Sequence, residues 1–164
     1  MARRERESRD GRATGRTTRI PEVRLAAWGF GLNALWEFTH SPLYADHDRG
    51  VVYVVWTRLH CTAGDVLILL VCFWLVALFF RSRRWHREWP VRGGATFTVA
   101  GMAYTVWSEW LNTGIKGAWS YSESMPTVLG IGLTPVLQWL VIPPLLVRIL
   151  VITGRVSSLR ERPG

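Results

Sequence analysis

The chain has 164 residues, about half of them apolar, and a net charge of +8 that comes almost entirely from arginine. This length accommodates one domain, and the apolar residues are gathered into long blocks rather than dispersed. The arginines flank these blocks instead of forming a folded basic face with aromatic platforms, which argues against a nucleic-acid partner. The ten tryptophans suit a membrane interface. We therefore predict a small integral membrane protein whose partners are membrane lipids.

If the chain crosses the membrane at each of four apolar blocks, most of its basic residues fall on the same side. Seventeen of the 20 precede the first block, separate the second from the third, or lie at or after the end of the fourth. The other side holds Arg49, Arg58 and Lys116. Because cytoplasmic loops carry an excess of basic residues, the pattern predicts a multi-pass protein of the bacterial cytoplasmic (inner) membrane with both termini inside.

The predicted architecture is all-α, a four-helix transmembrane bundle over residues 20–154. Residues 1–19 have almost nothing to bury and are predicted to form a disordered basic tail. The predicted spans are about 25–44, 59–80, 95–112 and 128–152, with outer loops at 45–58 and 113–127 and a second cytoplasmic tail at 155–164.

Prolines affect where these spans end and bend, and one further apolar run is too short to be a span. Pro42 is expected to end the first segment, while Pro135, Pro143 and Pro144 should kink the fourth. The apolar run 51–56 is too short to cross a bilayer, so we expect it to lie in the interface.

Polar residues inside the apolar segments cluster at one depth. Given the predicted orientation, three stripes at helical spacing fall near the outer ends of three segments: Asn33–Glu37–His40, Cys61–Asp65 and Thr105–Glu109–Asn112. Showing a charge to lipid costs at least ~2.5 kcal/mol, so the stripes should face one another. We predict a polar pocket open to the outer side, floored by Gln138 and covered by Trp119 and Tyr121.

The predicted site contains three acids and a set of binding residues. The candidate catalytic acids are Glu37, Asp65 and Glu109. The candidate binding and orienting residues are Asn33, His40, His60, Asn112, Trp119, Tyr121 and Gln138. The simpler interpretation of each residue alone is a solvated helix end, and for His60 and Cys61 a helix-terminal histidine and a small packing thiol.

Two chemistries suit such a pocket. Crowded carboxylates in a low dielectric give a proton donor beside a carboxylate, which suits protonation or isomerisation of a lipid-borne substrate. A metal site is the other possibility, since histidine, thiolate and carboxylate bind zinc or copper. Its ligands would come from His40, His47, His60, Cys61, Asp65 and the two glutamates. No pair has a recognised metal-ligand spacing, so no residue is assigned to a metal and no cofactor is named.

Several motifs together resemble a family of small, functionally uncharacterised bacterial polytopic membrane proteins. The resemblance covers about residues 32–144 and implies a polytopic membrane fold without supplying an activity. It rests on Trp36-Glu37, Pro42-Leu43-Tyr44, His60-Cys61-Thr62-Ala63-Gly64-Asp65, Ser108-Glu109-Trp110-Leu111-Asn112, Trp119-Ser120-Tyr121-Ser122, Met125-Pro126, Gly132-Leu133-Thr134-Pro135 and Gln138-Trp139.

A looser similarity, through Trp36, Glu37 and Asp65, is to membrane-bound terpene cyclases, which use such acids to protonate an epoxide or alkene. That family has more helices than this chain. The predicted carboxylate-lined pocket leads us to expect an intramembrane enzyme acting on a lipid, an isoprenoid or another hydrophobic small molecule. The alternatives are a transporter or binder of a metal ion or small solute, and an accessory subunit whose polar residues join helices.

Overall fold

A computed structural model of the chain describes residues 20–159, with side chains described through residue 154. This part of the chain is almost entirely helical, as the all-α prediction requires. Its five α-helices are α1 (Pro21–His40), α2 (Val51–Phe79), α3 (Trp85–Glu88), α4 (Pro90–Glu109) and α5 (Leu133–Leu159). A 3₁₀ turn (Ser41–Leu43) follows α1, and a π-helical segment (Trp110–Ile115) extends α4. Two short antiparallel strands, β1 (Thr127–Val128) and β2 (Ile131–Gly132), precede α5. The predicted tail 1–19 lies outside the described residues.

The second helix begins earlier than predicted. α2 starts at Val51, directly after Gly50, whose φ of 97° is a conformation that favours glycine. The predicted outer loop 45–58 therefore ends at Gly50, and the apolar run 51–56 forms the first turns of α2 instead of a separate interfacial segment. A continuous helix satisfies the backbone groups that a separate run would leave unpaired.

The two proline-containing helices also differ from their predicted bounds. α1 ends at His40, two residues before Pro42, rather than continuing to residue 44. The start of the predicted fourth span is the β1–β2 hairpin, so Pro135 lies in the first turn of α5, where proline is tolerated. Pro143 and Pro144 lie inside α5, which continues to Leu159, into the predicted tail 155–164.

The four long helices form an antiparallel bundle with two chemically distinct ends. Late in α1, Glu37 approaches Arg58 near the start of α2. At the other end, Glu22 near the start of α1 pairs with Arg83 just after α2. We call the end with Glu37 the acidic end and the end with Glu22 the basic end. α1 packs most closely on α2 and α4 on α5, whereas α2 and α4 make fewer contacts than the other neighbouring pairs of long helices.

The apolar core fills the bundle between the acidic end and the basic end. Its most buried side chains come from all four long helices and include Leu25, Leu69, Phe73, Phe97, Leu146 and Leu150. Trp139 of α5 packs directly over Gly101 of α4, at a distance that a side chain at position 101 would prevent. The interior below the acidic end is therefore closely packed and apolar.

Two helices, Val51–Phe79 and Leu133–Gly154, are long and apolar enough to cross a membrane, by length and composition. α1 and α4 have 20 residues each and contain more polar residues. All four long helices nevertheless expose large apolar side chains on the outside of the bundle, among them Leu35, Val71, Val99 and Leu140.

Candidate functional site

A cavity of about 400 Å³ lies at the acidic end of the bundle. The three acids singled out from the sequence, Glu37, Asp65 and Glu109, all line it, although they come from α1, α2 and α4. They converge because chain direction alternates, so that the last turns of α1 and α4 lie beside the first half of α2. Three further predicted site residues also line the cavity: His60, Trp119 and Gln138.

Asp65 is held by a buried amide network. The side-chain amide of Gln138 donates one hydrogen bond to Asp65 Oδ2 (2.9 Å) and another to Asn33 Oδ1 (2.7 Å). Asn33 in turn donates to the carbonyl of Gly29, one turn earlier in α1 (2.7 Å). Asn33 and Gln138 are buried, so this chain of amides fixes the floor of the cavity. It also uses both amide hydrogens of Gln138.

Glu109 is held by neutral donors from the loop that follows α4. Trp119 Nε1 donates to Glu109 Oε2 (3.3 Å), and the Tyr121 hydroxyl donates to the same oxygen. The Tyr121 oxygen accepts the backbone N–H of Gly132 (3.0 Å). Burial, and then the hydrogen bond to Glu109, raise the pKa of Tyr121 well above its ordinary value, so the phenol remains a donor.

Glu37 lies between two basic side chains. Its Oε2 is 3.6 Å from His40 Nε2 and 3.9 Å from Arg58 Nη1. His40 is 6% exposed, and neither of its ring nitrogens has a hydrogen-bond partner among the described residues. Glu37 is thus the acid of the three that has a guanidinium beside it.

Arg58 is a candidate site residue that the sequence interpretation missed. The sequence predicts it in an outer loop, but it is 3% exposed within α2 and lines the cavity. Its Nη2 donates to Asp46 Oδ1 (2.5 Å), and its guanidinium lies 4.7 Å from the centre of the Tyr44 ring. An arginine two residues after the apolar run 51–56 and seven residues before Asp65 was the signal that could have identified it.

Asn112 does not join the site as predicted. Its side-chain amide donates to the carbonyl and hydroxyl oxygens of Ser108 in the preceding turn. The reason is the π-helical segment, which adds a residue to the turn and so breaks the i, i+3 register expected from Glu109 to Asn112. His40 and Tyr121 lie behind the lining, in contact with Glu37 and Glu109 respectively.

The loops at the acidic end cover the cavity from above. Tyr44 and Tyr121 form an isolated β-bridge, and the Ala45 N–H donates to the Ser120 carbonyl (3.1 Å). Ser122 closes the same contact by donating from its N–H to the Leu43 carbonyl (2.9 Å). This joins the α1–α2 loop to the α4–α5 loop. The predicted cover of Trp119 and Tyr121 thus forms part of a larger two-loop cap.

The lining combines aromatic rings with an excess of negative charge. Four carboxylates, Glu37, Asp46, Asp65 and Glu109, face the cavity, against one guanidinium, Arg58, among the described residues. Aromatic side chains form much of the remaining wall: Tyr44, Tyr53, Tyr104, Trp119 and Trp139. Burial and the neighbouring Glu109 carboxylate raise the pKa of Tyr44 above its ordinary range. The arrangement can transfer protons and can hold an apolar or cationic molecule.

The metal hypothesis finds little geometric support at this site. Within the part of the chain that the structure describes, no three His, Cys, Asp or Glu side chains are grouped closely enough to hold a metal ion. His47, one of the candidate ligands, lies in the cap, where its Nδ1 is 3.2 Å from the Ser41 hydroxyl.

Comparison of the chain with family models, with curated proteins and with solved structures finds no match to any of them.

Proposed function

We propose that the chain is an integral membrane protein whose four long helices all cross the bilayer. α2 and α5 support this by length and composition. α1 and α4 have 20 residues each, and an α-helix of that length matches the ~30 Å hydrocarbon core. Their most polar side chains, such as Asn33 and Glu109, are buried in the bundle, which leaves mainly apolar groups for lipid.

The distribution of charge sets the proposed orientation. Arg81, Arg83, Arg84, Arg87 and Arg92 belong to the basic end, in the connection from α2 to α4 and the first turn of α4. By the positive-inside rule this end lies in the cytoplasm of a bacterial inner membrane. The cavity then opens toward the outer leaflet, and both termini are cytoplasmic.

We further propose that the cavity is the active site of an intramembrane enzyme that protonates or isomerises a lipid or isoprenoid substrate. The observation that carries this proposal is the convergence of three carboxyl groups from three helices on one partly apolar cavity. An isomerisation needs no co-reactant, because a proton is added at one carbon and removed at another.

The environments of the acids suggest different roles. Glu37 has Arg58 and His40 beside it, so it is favoured as the carboxylate that accepts a proton. Asp65 has only the Gln138 amide as its hydrogen-bond donor among the described residues. It therefore suits the proton-donating role, as two carboxyls in different surroundings commonly divide acid and base functions. Glu109, anchored by Trp119 and Tyr121, would orient the substrate.

The closed core favours an enzyme over a transporter. Below the cavity floor the bundle is filled by fully buried apolar side chains such as Leu69, Phe73 and Phe97. A solute could pass to the basic end only if this layer opened. Chemistry at an outer-facing site needs no such opening.

The proposal is tested by the lipids that the protein retains and converts. We would express the wild type and Asp65→Asn in the same bacterial host, purify both in a neutral detergent, and compare their bound lipids by chromatography and mass spectrometry. The variant should hold a lipid that the wild type lacks, and the wild-type membrane should contain an isomer of equal mass and different retention. The reason is that loss of the proton donor stops turnover while the cavity remains.

A matched control is Glu123→Gln. Glu123 is an exposed acid of the same cap that does not line the cavity, so this variant should have the wild-type lipid profile. Identical bound and membrane lipids for the wild type, Asp65→Asn and Glu123→Gln would refute the enzyme proposal and favour the accessory-subunit alternative.

A further inference from the structure

The cavity and a separate apolar groove lie along the same face of α2. The residues of α2 that line it include Cys61, Gly64 and Ile68. Farther along the same helix, a shallow apolar groove is lined by Leu70, Val71, Trp74, Leu75 and Leu78. The positions 61, 64, 68, 71, 75 and 78 are spaced alternately by three and four residues, so they form one stripe on one helix face. We call this set the α2 stripe.

The α2 stripe runs from the cavity wall to the outer surface of the bundle. Of the neighbouring pairs of long helices, α2 and α4 make the fewest contacts. The cavity lining between them includes exposed residues from both sides, Cys61 and Gly64 on α2 and Tyr104 on α4. Added bulk at Gly64 would meet no atom within 4 Å of its Cβ. The cavity is therefore open sideways, where the surrounding medium would be lipid.

From this alignment of cavity and groove on one helix face we infer that the site takes a single-chain amphiphile whose polar end occupies the cavity and whose apolar chain lies along the α2 stripe. This inference rests on the proposed function for the membrane setting and names the substrate class for that site. Fourteen residues separate Gly64 from Leu78, about 21 Å along a helix. A bilayer leaflet has a hydrocarbon depth of about 15 Å, so the stripe can accompany a long chain through its own leaflet.

The charge of the cavity limits the polar end of this molecule. Besides the proton-donating Asp65, an anionic head would meet Glu37, Asp46 and Glu109 against one guanidinium, and that guanidinium already donates to Asp46. A neutral alcohol, epoxide or amine meets no such repulsion. The amphiphile is therefore one with a neutral or cationic head, entering from the outer leaflet.

The test is photolabelling of the full-length protein in vesicles of phosphatidylethanolamine and phosphatidylglycerol. Three diazirine-bearing probes distinguish chain and head: farnesol, hexadecanol and hexadecyl phosphate. Labelled peptides should map to the α2 stripe with one or both alcohols. Stronger labelling by farnesol would indicate a prenyl chain, and stronger labelling by hexadecanol an alkyl chain. The phosphate should label the stripe several-fold less than hexadecanol.

Two substitutions to tryptophan provide a matched comparison. Val71→Trp fills the stripe and should abolish most labelling there, whereas Val99→Trp on α4 should leave it unchanged. Both positions are exposed to a similar degree, 50% and 64%, and Val99 lines neither the cavity nor the groove. Labelling that is spread equally over α2 and α4, or that Val71→Trp does not reduce, would overturn the inference. Equal labelling by hexadecanol and hexadecyl phosphate would overturn the assignment of the head.

Failure of this inference can be distinguished from failure of the proposed chemistry. Asp65→Asn should retain labelling of the stripe, because Asp65 lies at the cavity wall and not along the groove. Retained labelling together with unchanged lipids in Asp65→Asn would leave a lipid-binding protein without the proposed reaction. Changed lipids without labelling of the stripe would leave the enzyme with a different route for its substrate.

Discussion

The two ends of the bundle both bury polar and aromatic groups, but they pack them in opposite ways. At the basic end, Trp85 is fully buried, donates from Nε1 to the Phe73 carbonyl (3.2 Å) and contacts the Phe97 ring. A Cβ at Gly93 would lie 2.6 Å from the Trp85 ring. At the acidic end, a Cβ at Gly64 has no atom within 4 Å, and the neighbouring space is a cavity.

One end of the bundle is thus closely packed, and the other contains a cavity. A closely packed aromatic cluster stabilises the helix arrangement, since core packing at high density gives favourable contacts on every side. The acidic end instead leaves both ring nitrogens of His40 and the Nε of Arg58 without hydrogen-bond partners among the described residues, which is unfavourable in the absence of a function. We infer that close packing stabilises the basic end, whereas the acidic end depends on the Arg58 ion pairs and leaves space for a ligand.

The largest expected effect on stability comes from the buried ion pairs that Arg58 makes at the acidic end. Arg58→Met leaves Glu37 and Asp46 without their shared cation, and breaking a buried pair costs about 3–5 kcal/mol of unfolding free energy. We would measure thermal unfolding in detergent through the reactivity of the buried Cys72 thiol, in a Cys61→Ser background because Cys61 is exposed.

Arg49→Met is the control for this substitution. Like Arg58, Arg49 lies over a tyrosine ring, that of Tyr53, and it also donates to the Tyr53 hydroxyl. Its position is exposed, where such contacts contribute little. The variant should unfold close to the wild-type temperature. An equal loss of stability in both variants would mean that the Arg58 contacts with Glu37 and Asp46 do not support the fold.

A pair of glycine substitutions tests the packing contrast directly. Gly93→Leu forces a side chain into the Trp85 ring and should cost about 1–3 kcal/mol or more, as overpacking does in dense cores. Gly64→Leu places the same side chain in open space and should leave the unfolding temperature almost unchanged. The same thiol measurement compares them, and a destabilisation of equal size would show that the two ends are packed alike.

The convergence of the acids could be predicted from the sequence because it depends on two regular properties. Helical spacing puts Asn33, Glu37 and His40 on one face, and alternating chain direction puts the ends of α1 and α4 beside the start of α2. Burial of the amides Asn33 and Gln138 follows from the same reasoning, since a polar group inside an apolar helix needs a partner.

The remaining features depend on local breaks in that regularity. The π-helical segment after Glu109 turns Asn112 back onto Ser108, and nothing in the hydrophobic pattern signals such a segment. Gly50 lets α2 begin at Val51, which moves Arg58 from a presumed loop into the cavity wall. The bridge between Tyr44 and Tyr121 joins residues 77 positions apart, and pairing of this range cannot be obtained from periodicity.

The smallest expected effect is on the pH dependence of stability, and it concerns His86 at the basic end. His86 is buried beside Phe73 and Trp85, and its Nδ1 has no hydrogen-bond partner among the described residues. Burial, and secondarily Arg87, lower the pKa of His86 to about 4 from an ordinary value of 6.5. The other charged groups acting on it are Glu22, Arg24 and Glu88.

The sign of this effect follows from proton linkage. Between pH 6.5 and about 4 the unfolded chain binds a proton at His86 that the folded protein does not, so stability falls as the pH decreases through this window. The slope approaches about 1.4 kcal/mol per pH unit for one such group. His86→Phe keeps an aromatic ring and removes the titration, so its unfolding temperature should depend less on pH than that of the wild type. Any pH dependence that is common to both proteins cancels in the difference. Parallel pH profiles for the wild type and His86→Phe would show that His86 becomes protonated in the folded protein, and the basic end would then be less closed to water than its packing implies.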